Sequence, residues 1–348
     1  MNREVKIMNK ALKKIAAVAL SGVVIASAFA GCSTGTESEG TADANQKTFK
    51  VGICQLVQHD ALDSATQGFQ DKLKELGDAN GYTFEIDYQN ANNDSTACAT
   101  IAQQFVSNSY DLIMANATAA LQACATATAA SQTPVVATSI TDFGVALDIE
   151  IGSTDPTGIN VTGSNDLAPL ADQAQQILDL FPDTKTVGCI YCSSEPNSLF
   201  QVEGVKEALE AKGITVNFFS FSDSNDIQAV AQKAAAESDV IYIPTDNTAA
   251  SNGGVIDAAC QEANVPIIAG EEGIFKNTNA VATLSISFYE IGQKAGEMAY
   301  DILVNGSDPS TMNIWQTSNV TPYYNAEMAE KYNVTIPEGY QAYDFSAE

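Results

Sequence analysis

Residues 110–138 read YDLIMANATAALQACATATAASQTPVVAT. Three pieces are visible in them. YDLIMA (110–115) is a short apolar run, residues 118–130 are rich in Ala and Thr at helical length, and PVVAT (134–138) is again short and β-branched. A strand, a helix and a strand in close succession make a βαβ unit, whose two strands lie parallel.

Working outward, the alternation continues. FKVGICQL (49–56) reads as a strand, 62–76 as a helix, and YTFEIDYQ (82–89) as a half-buried strand; 95–107 place Ile101, Phe105 and Val106 at helical spacing. Such alternation predicts a parallel sheet with helices on both faces. After a connection over 140–163, a second series begins. It runs helix 166–180, TVGCIY (186–191), helix 197–211, ITVNFF (214–219), helix 225–236, VIYIP (240–244), helix 253–263, PIIA (266–269) and AVATLS (280–285). Ile291, Ala295, Met298, Ala299, Ile302 and Leu303 form one helical stripe, read as core packing. A strand near 312–318 and a helix over 325–332 close the chain. The expected class is α/β, with two lobes, each a parallel sheet flanked by helices, and a ligand cleft between them.

The first 31 residues carry Arg3, Lys6, Lys10, Lys13 and Lys14, then an apolar run over 15–30. A basic start, a short apolar run and small residues predict a secretory signal peptide. The run is short for a membrane span of about 20 residues. Cys32 follows Ala30-Gly31, as in the lipobox of bacterial lipoproteins, and is the expected lipidation site. Residues 32–47 hold almost nothing that can be buried and read as a flexible tether. The expected location is therefore extracytoplasmic, with lipid anchoring to the bacterial cell membrane as the only membrane contact.

The chain has a formal net charge of −27, and removing the five basic residues and Glu4 of the leader makes it −31. Such a body repels nucleic-acid phosphates, and no nucleic-acid partner is expected. Six cysteines remain besides Cys32. Cys189 and Cys192 have CxxC spacing, but on a strand they face opposite sides. With His59 the sole histidine, no metal site and no cofactor are expected.

Ligands of parallel sheets bind beyond the carboxyl ends of the strands. The strand-end loops here are Gln55–His59, 115–118, 138–139, 164–166, 193–198, 244–248 and 270–273. They are short and rich in hydroxyls and amides. Thr118 and residues 193–198 stand at helix starts, where free N–H groups favour an anion. Asp246 and Glu271 suit an ammonium group, although each polar residue also suits plain helix capping.

Several runs carry a resemblance: VGICQLVQHDALDSATQGFQDKL, IDYQNANNDSTACATIAQQFV, DLIMANATAALQA, GINVTGSNDLAPL, SSEPNSLFQVEGVKEAL, YIPTDNT, PIIAGEEG and FYEIGQKAGEMAYDIL. Together they make the chain similar to TrpX-like substrate-binding lipoproteins of the type I periplasmic-binding-protein fold, over about residues 50–304 and more weakly to about 340. The resemblance implies an importer with ABC permease and ATPase subunits and aromatic amino acids as ligands. It implies a cleft lined by Gln55, His59, Ala117, Thr118, Ser139, Asn165, Ser194, Asn197, Ser198, Asp246 and Glu271. It also implies lobes over 48–163 plus 286–306 and over 164–285 plus 307–340. Phe143 stands where family members often carry proline, which leaves open an aromatic wall in the pocket.

The expected function is capture of a small molecule, tryptophan, tyrosine or phenylalanine, between two closing lobes of a monomer. A lipoprotein ligand sensor is the alternative. An anchored enzyme is the third reading, disfavoured because GxSxG, Walker A, GxGxxG and multi-histidine motifs are missing. No catalytic residue is expected.

Overall fold

The computed structural model describes residues 47–346. The leader, Cys32 and the tether up to residue 46 lie outside the described residues.

The first sheet is built from β1 (Lys47–Gln55), β2 (Tyr82–Asn90), β3 (Leu112–Asn116), β4 (Val135–Ile140) and β5 (Val161–Asn165). Its order is β2-β1-β3-β4-β5, and all pairs are parallel. The helices between are α1 (Asp60–Asn80), α2 (Ser95–Ser107), α3 (Thr118–Thr128) and α4 (Phe143–Leu147). Every residue of β3 and β4 is buried, as a sheet covered on both faces requires. Leu112 and Met114 enter one core, Ile113 and Ala115 the other.

The second lobe follows as α5 (Leu170–Leu180), β6 (Thr186–Cys192), α6 (Pro196–Glu210), β7 (Thr215–Phe221), α7 (Ile227–Ala236) and β8 (Val240–Ile243). Then come α8 (Asn247–Ser251), α9 (Gly253–Ala263), β9 (Ile267–Ala269), α10 (Glu272–Asn277) and β10 (Ala282–Ser285). α11 (Phe288–Leu303) returns to the first lobe and packs on α1, β4 and β5. β11 (Thr321–Tyr324), α12 (Ala326–Lys331) and β12 (Gln341–Ala342) end the second lobe. Its sheet order is β12-β11-β10-β9-β8-β6-β7.

Two sequence readings change. The second sheet is not wholly parallel, because β11 runs antiparallel to β10. No strand occupies 312–318; Trp315 makes only an isolated bridge to Ser164 as the chain crosses between lobes. The actual strand, β11, comes later. The six cysteines after Cys32 are free and buried. Cys189 and Cys192 belong to the cores on opposite faces of the second sheet, as strand geometry requires.

Two glycines set the spacing between α1 and α11. A Cβ on Gly292 would lie 2.0 Å from the Ala65 carbonyl oxygen, and one on Gly68 would lie 2.2 Å from that of Tyr289. Close backbone approach here fixes where the two helices begin, and both begin at the cleft.

Candidate ligand-binding site

The carboxyl ends of the strands in the two lobes face each other across a cavity of about 10 Å³, near the lower limit for one water. The first lobe contributes His59 and Leu62 at the start of α1, Ser139 in β4, Asp166 after β5 and Phe288 at the start of α11. The second lobe contributes Asn197, Thr245, Asp246, Asn247, Ala250 and Glu271.

Local structure explains several of these positions. The pairing of β4 with β5 shifts register between Ala137 and Ile140. The irregularity turns Ser139 out of the ladder, in a left-handed conformation with φ 59°. Ala117, at the start of α3, also has positive φ, at 84°. Strain of this kind costs about 1–3 kcal/mol per residue and is common at functional sites. Asp246 caps α8 by accepting from the Ala249 N–H at 2.8 Å, and it ties α8 to β6 by accepting from the Cys192 N–H at 2.6 Å. Glu271 caps α10, accepting from the N–H groups of Gly273 and Ile274. Asp166 accepts from the Thr141 hydroxyl at 2.9 Å.

All three carboxylates are buried, and no lysine or arginine lines the cavity. Burial raises the Asp166 carboxyl to about 6, against the pull of the Thr141 hydroxyl. Burial raises Glu271 to about 7, opposed by its two N–H donors and helped by the charges of Glu272 and Asp166. Asp246 is raised well above the usual carboxylate range by burial and by the neighbouring Glu195. His59 is lowered by burial, partly offset by its bond to Asn247 and by nearby acids. Three orphaned polar atoms belong to residues of the cavity wall: His59 Nδ1, Ser139 Oγ and Asn197 Oδ1. Buried groups without partners are costly, so a polar ligand with an ammonium group is the natural complement.

The lobes also touch directly. His59 Nε2 lies 3.2 Å from Asn247 Oδ1, Asn93 donates to the Thr248 hydroxyl at 3.0 Å, and Gln201 donates to the Thr141 hydroxyl at 3.4 Å.

Residues 50–347 match the family model described as ABC transporter substrate binding protein. The chain belongs to that family. A relative named tyrosine-binding protein, from Clostridioides difficile, is 33% identical over 298 residues, 84% of each chain. The crystal structure of a Streptococcus pneumoniae protein in complex with L-Trp has 32% identity and a TM-score of 0.79, covering 84% of this chain and 97% of that one. The ligand-free, open structure of a Clostridium difficile substrate-binding protein also has 32% identity, but a TM-score of 0.65, with 85% and 99% covered. At equal identity the higher score goes to the ligand-bound relative, in keeping with lobes that meet in this chain.

In this substrate-binding protein the cavity gathers five of the residues singled out from the sequence: His59, Ser139, Asn197, Asp246 and Glu271. The other six stand elsewhere. Gln55 is fully buried in hydrogen bonds within the first lobe. Ala117 and Thr118 are buried at the start of α3. Ser198 donates to the Thr245 carbonyl. Asn165 is buried beside Asp166 with its Oδ1 orphaned. Ser194 lies exposed on an outer groove shared with Asn93 and Thr248. Phe143 packs in the core of the first lobe rather than in the pocket; the aromatic wall is Phe288. Sequence reasoning also passed over Asp166 and Asn247 as site residues. The signal for Asp166 was present, since it follows β5 directly.

The family binds a substrate for an ABC transporter, and such binding proteins work outside the cytoplasm. Among the described residues, no helix is long and apolar enough to cross a membrane.

Proposed function

We propose that this chain is the receptor of an ABC importer for an aromatic amino acid, tyrosine, tryptophan or phenylalanine. The observation that carries the reading is the cavity: three buried carboxylates beside one aromatic wall, Phe288, in a relative of a tyrosine-binding protein. The carboxylates suit the ammonium group, and Leu62, Ala250 and Phe288 suit the ring. A cavity of about 10 Å³ is far smaller than such a ligand. The lobes must therefore part for entry and close again around it, by bending where the chain passes between them, after β5 and on either side of α11. In this reading Cys32 carries the lipid, separate permease and ATPase subunits complete the importer, and the ligand leaves unchanged.

Ligand extracted from the purified full-length chain and identified by mass spectrometry tests the proposal. One of the three amino acids is expected, and each should raise the melting temperature by binding the native state. A protein whose melting is unmoved by all three at millimolar concentration would contradict the assignment.

A further inference from the structure

The hydrogen-bonding valence of the cavity is set by a relay that begins outside it. Glu195, at the start of α6, accepts on both oxygens. It takes the Asn247 N–H at 2.9 Å and side-chain N–H at 2.7 Å on one, and the Thr248 N–H at 2.9 Å and hydroxyl at 2.8 Å on the other. A carboxylate has no hydrogen to give, so the Asn247 amide must turn its Nδ2 to Glu195 and its Oδ1 to the cleft. That oxygen accepts from His59 Nε2 at 3.2 Å. The hydrogen of neutral His59 is then on Nε2, and Nδ1, which is buried without a partner, is a bare acceptor.

The remaining groups have the same character. Asn197 directs its amide hydrogens toward the Thr245 carbonyl at 3.1 Å and leaves Oδ1 open. Asp166, Asp246 and Glu271 accept only when ionised. The hydroxyls of Ser139 and Thr245 serve either way. Three long helices begin at the cavity: α1 carries Asp60 and Asp63 and α11 carries Glu290 in its own first turn, and Glu195 stands at the cap of α6, so acids already answer these positive ends. The cavity therefore offers many acceptors, few donors and no cation.

We infer that the site recognises its ligand chiefly through the ammonium group, so that aromatic primary amines without a carboxylate are ligands of the same cavity. This rests on the amino-acid reading and adds a substrate class to it. Tyramine and phenethylamine bind within about tenfold of L-tyrosine and L-phenylalanine. The matching arylpropionates, which keep the carboxylate and lose the ammonium, bind about 100-fold more weakly or worse.

Calorimetric titration of the full-length chain with these six compounds tests the inference, and it needs no variant. Amino acids that bind while the amines bind about 100-fold more weakly overturn the inference and leave the parent reading standing. Failure of all six to bind overturns both. Nitrogen NMR of the sole histidine supplies an independent check on the relay. The imidazole protonated on Nε2 at neutral pH is the expected form, and an Nδ1-protonated ring contradicts the relay.

Discussion

Two groups of buried polar side chains lie at the strand ends of the first lobe, and they differ in where their hydrogen-bonding groups are directed. Around Gln55, Nε2 donates to the Val57 carbonyl at 2.8 Å and to Asp63 at 2.6 Å, while Oε1 accepts from Thr66 at 2.6 Å. Asn116 joins by donating to the Leu62 carbonyl and to Thr66. Four residues along the chain, His59 keeps Nδ1 open, and Ser139 keeps Oγ open. Apart from Asn116 Oδ1, which has no partner, the first group spends its valence within one lobe and holds β1, β3 and α1 together. The second holds valence in reserve. Proximity in sequence does not separate the two roles; His59 and Ser139 line the cavity, whereas Gln55, Thr66 and Asn116 do not.

The largest expected effect on binding comes from Asp166→Asn. Removing its charge should weaken aromatic amino-acid binding by about 100-fold, near 3 kcal/mol, as for a charged hydrogen bond. Melting temperature at neutral pH should hold or rise, because an ionised buried carboxylate is gone. Unchanged affinity in calorimetry would place the ammonium elsewhere. Gln55→Ala is the mirror experiment. A loss of about 2–3 kcal/mol in denaturant unfolding is expected, with affinity altered less than about threefold. A large affinity loss with normal stability would erase the distinction between the two groups.

Acidity gives a smaller effect of two signs. Asp166 and Glu271 are raised to about 6 and about 7. Their folded forms hold protons that the unfolded chain has released, so their contribution to stability is full below about pH 4 and is lost as pH rises through 6 to 7. Ligand-free protein should therefore gain stability from these groups between about pH 7.5 and pH 5, while affinity for an ammonium ligand falls about tenfold. Melting curves and titrations that move in the same direction would refute the assignment of these carboxylates. The smallest effect is expected for Ser194→Ala. That residue is exposed on the outer groove, and its loss should change affinity by less than about twofold.

Much of the architecture was legible in the sequence, because doubly buried strands such as LIMAN and VVATSI show as apolar runs. β5 was not, since VTGSN is small and polar. β11 carries Pro322, which argues against a strand. The run over 312–318 alternates like a strand, yet it lies where the chain crosses between lobes and extends neither sheet. Within the site, Asp246 and Glu271 were visible as strand-end acids. Phe288 was hidden in the apolar stripe of α11, and Phe143 was a plausible substitute that the core claimed instead. The role of Asn247 depends on Glu195, 52 positions away, and no local spacing reveals such a pair.

The most direct test is a crystal structure of the full-length chain grown with L-tyrosine. The ammonium group is expected against Asp166, Asp246 or Glu271, with the ring beside Phe288 and the lobes closed over it. A ligand seated instead in the outer groove beside Ser194 and Asn93, or no ligand between the lobes at saturating concentration, would contradict the account.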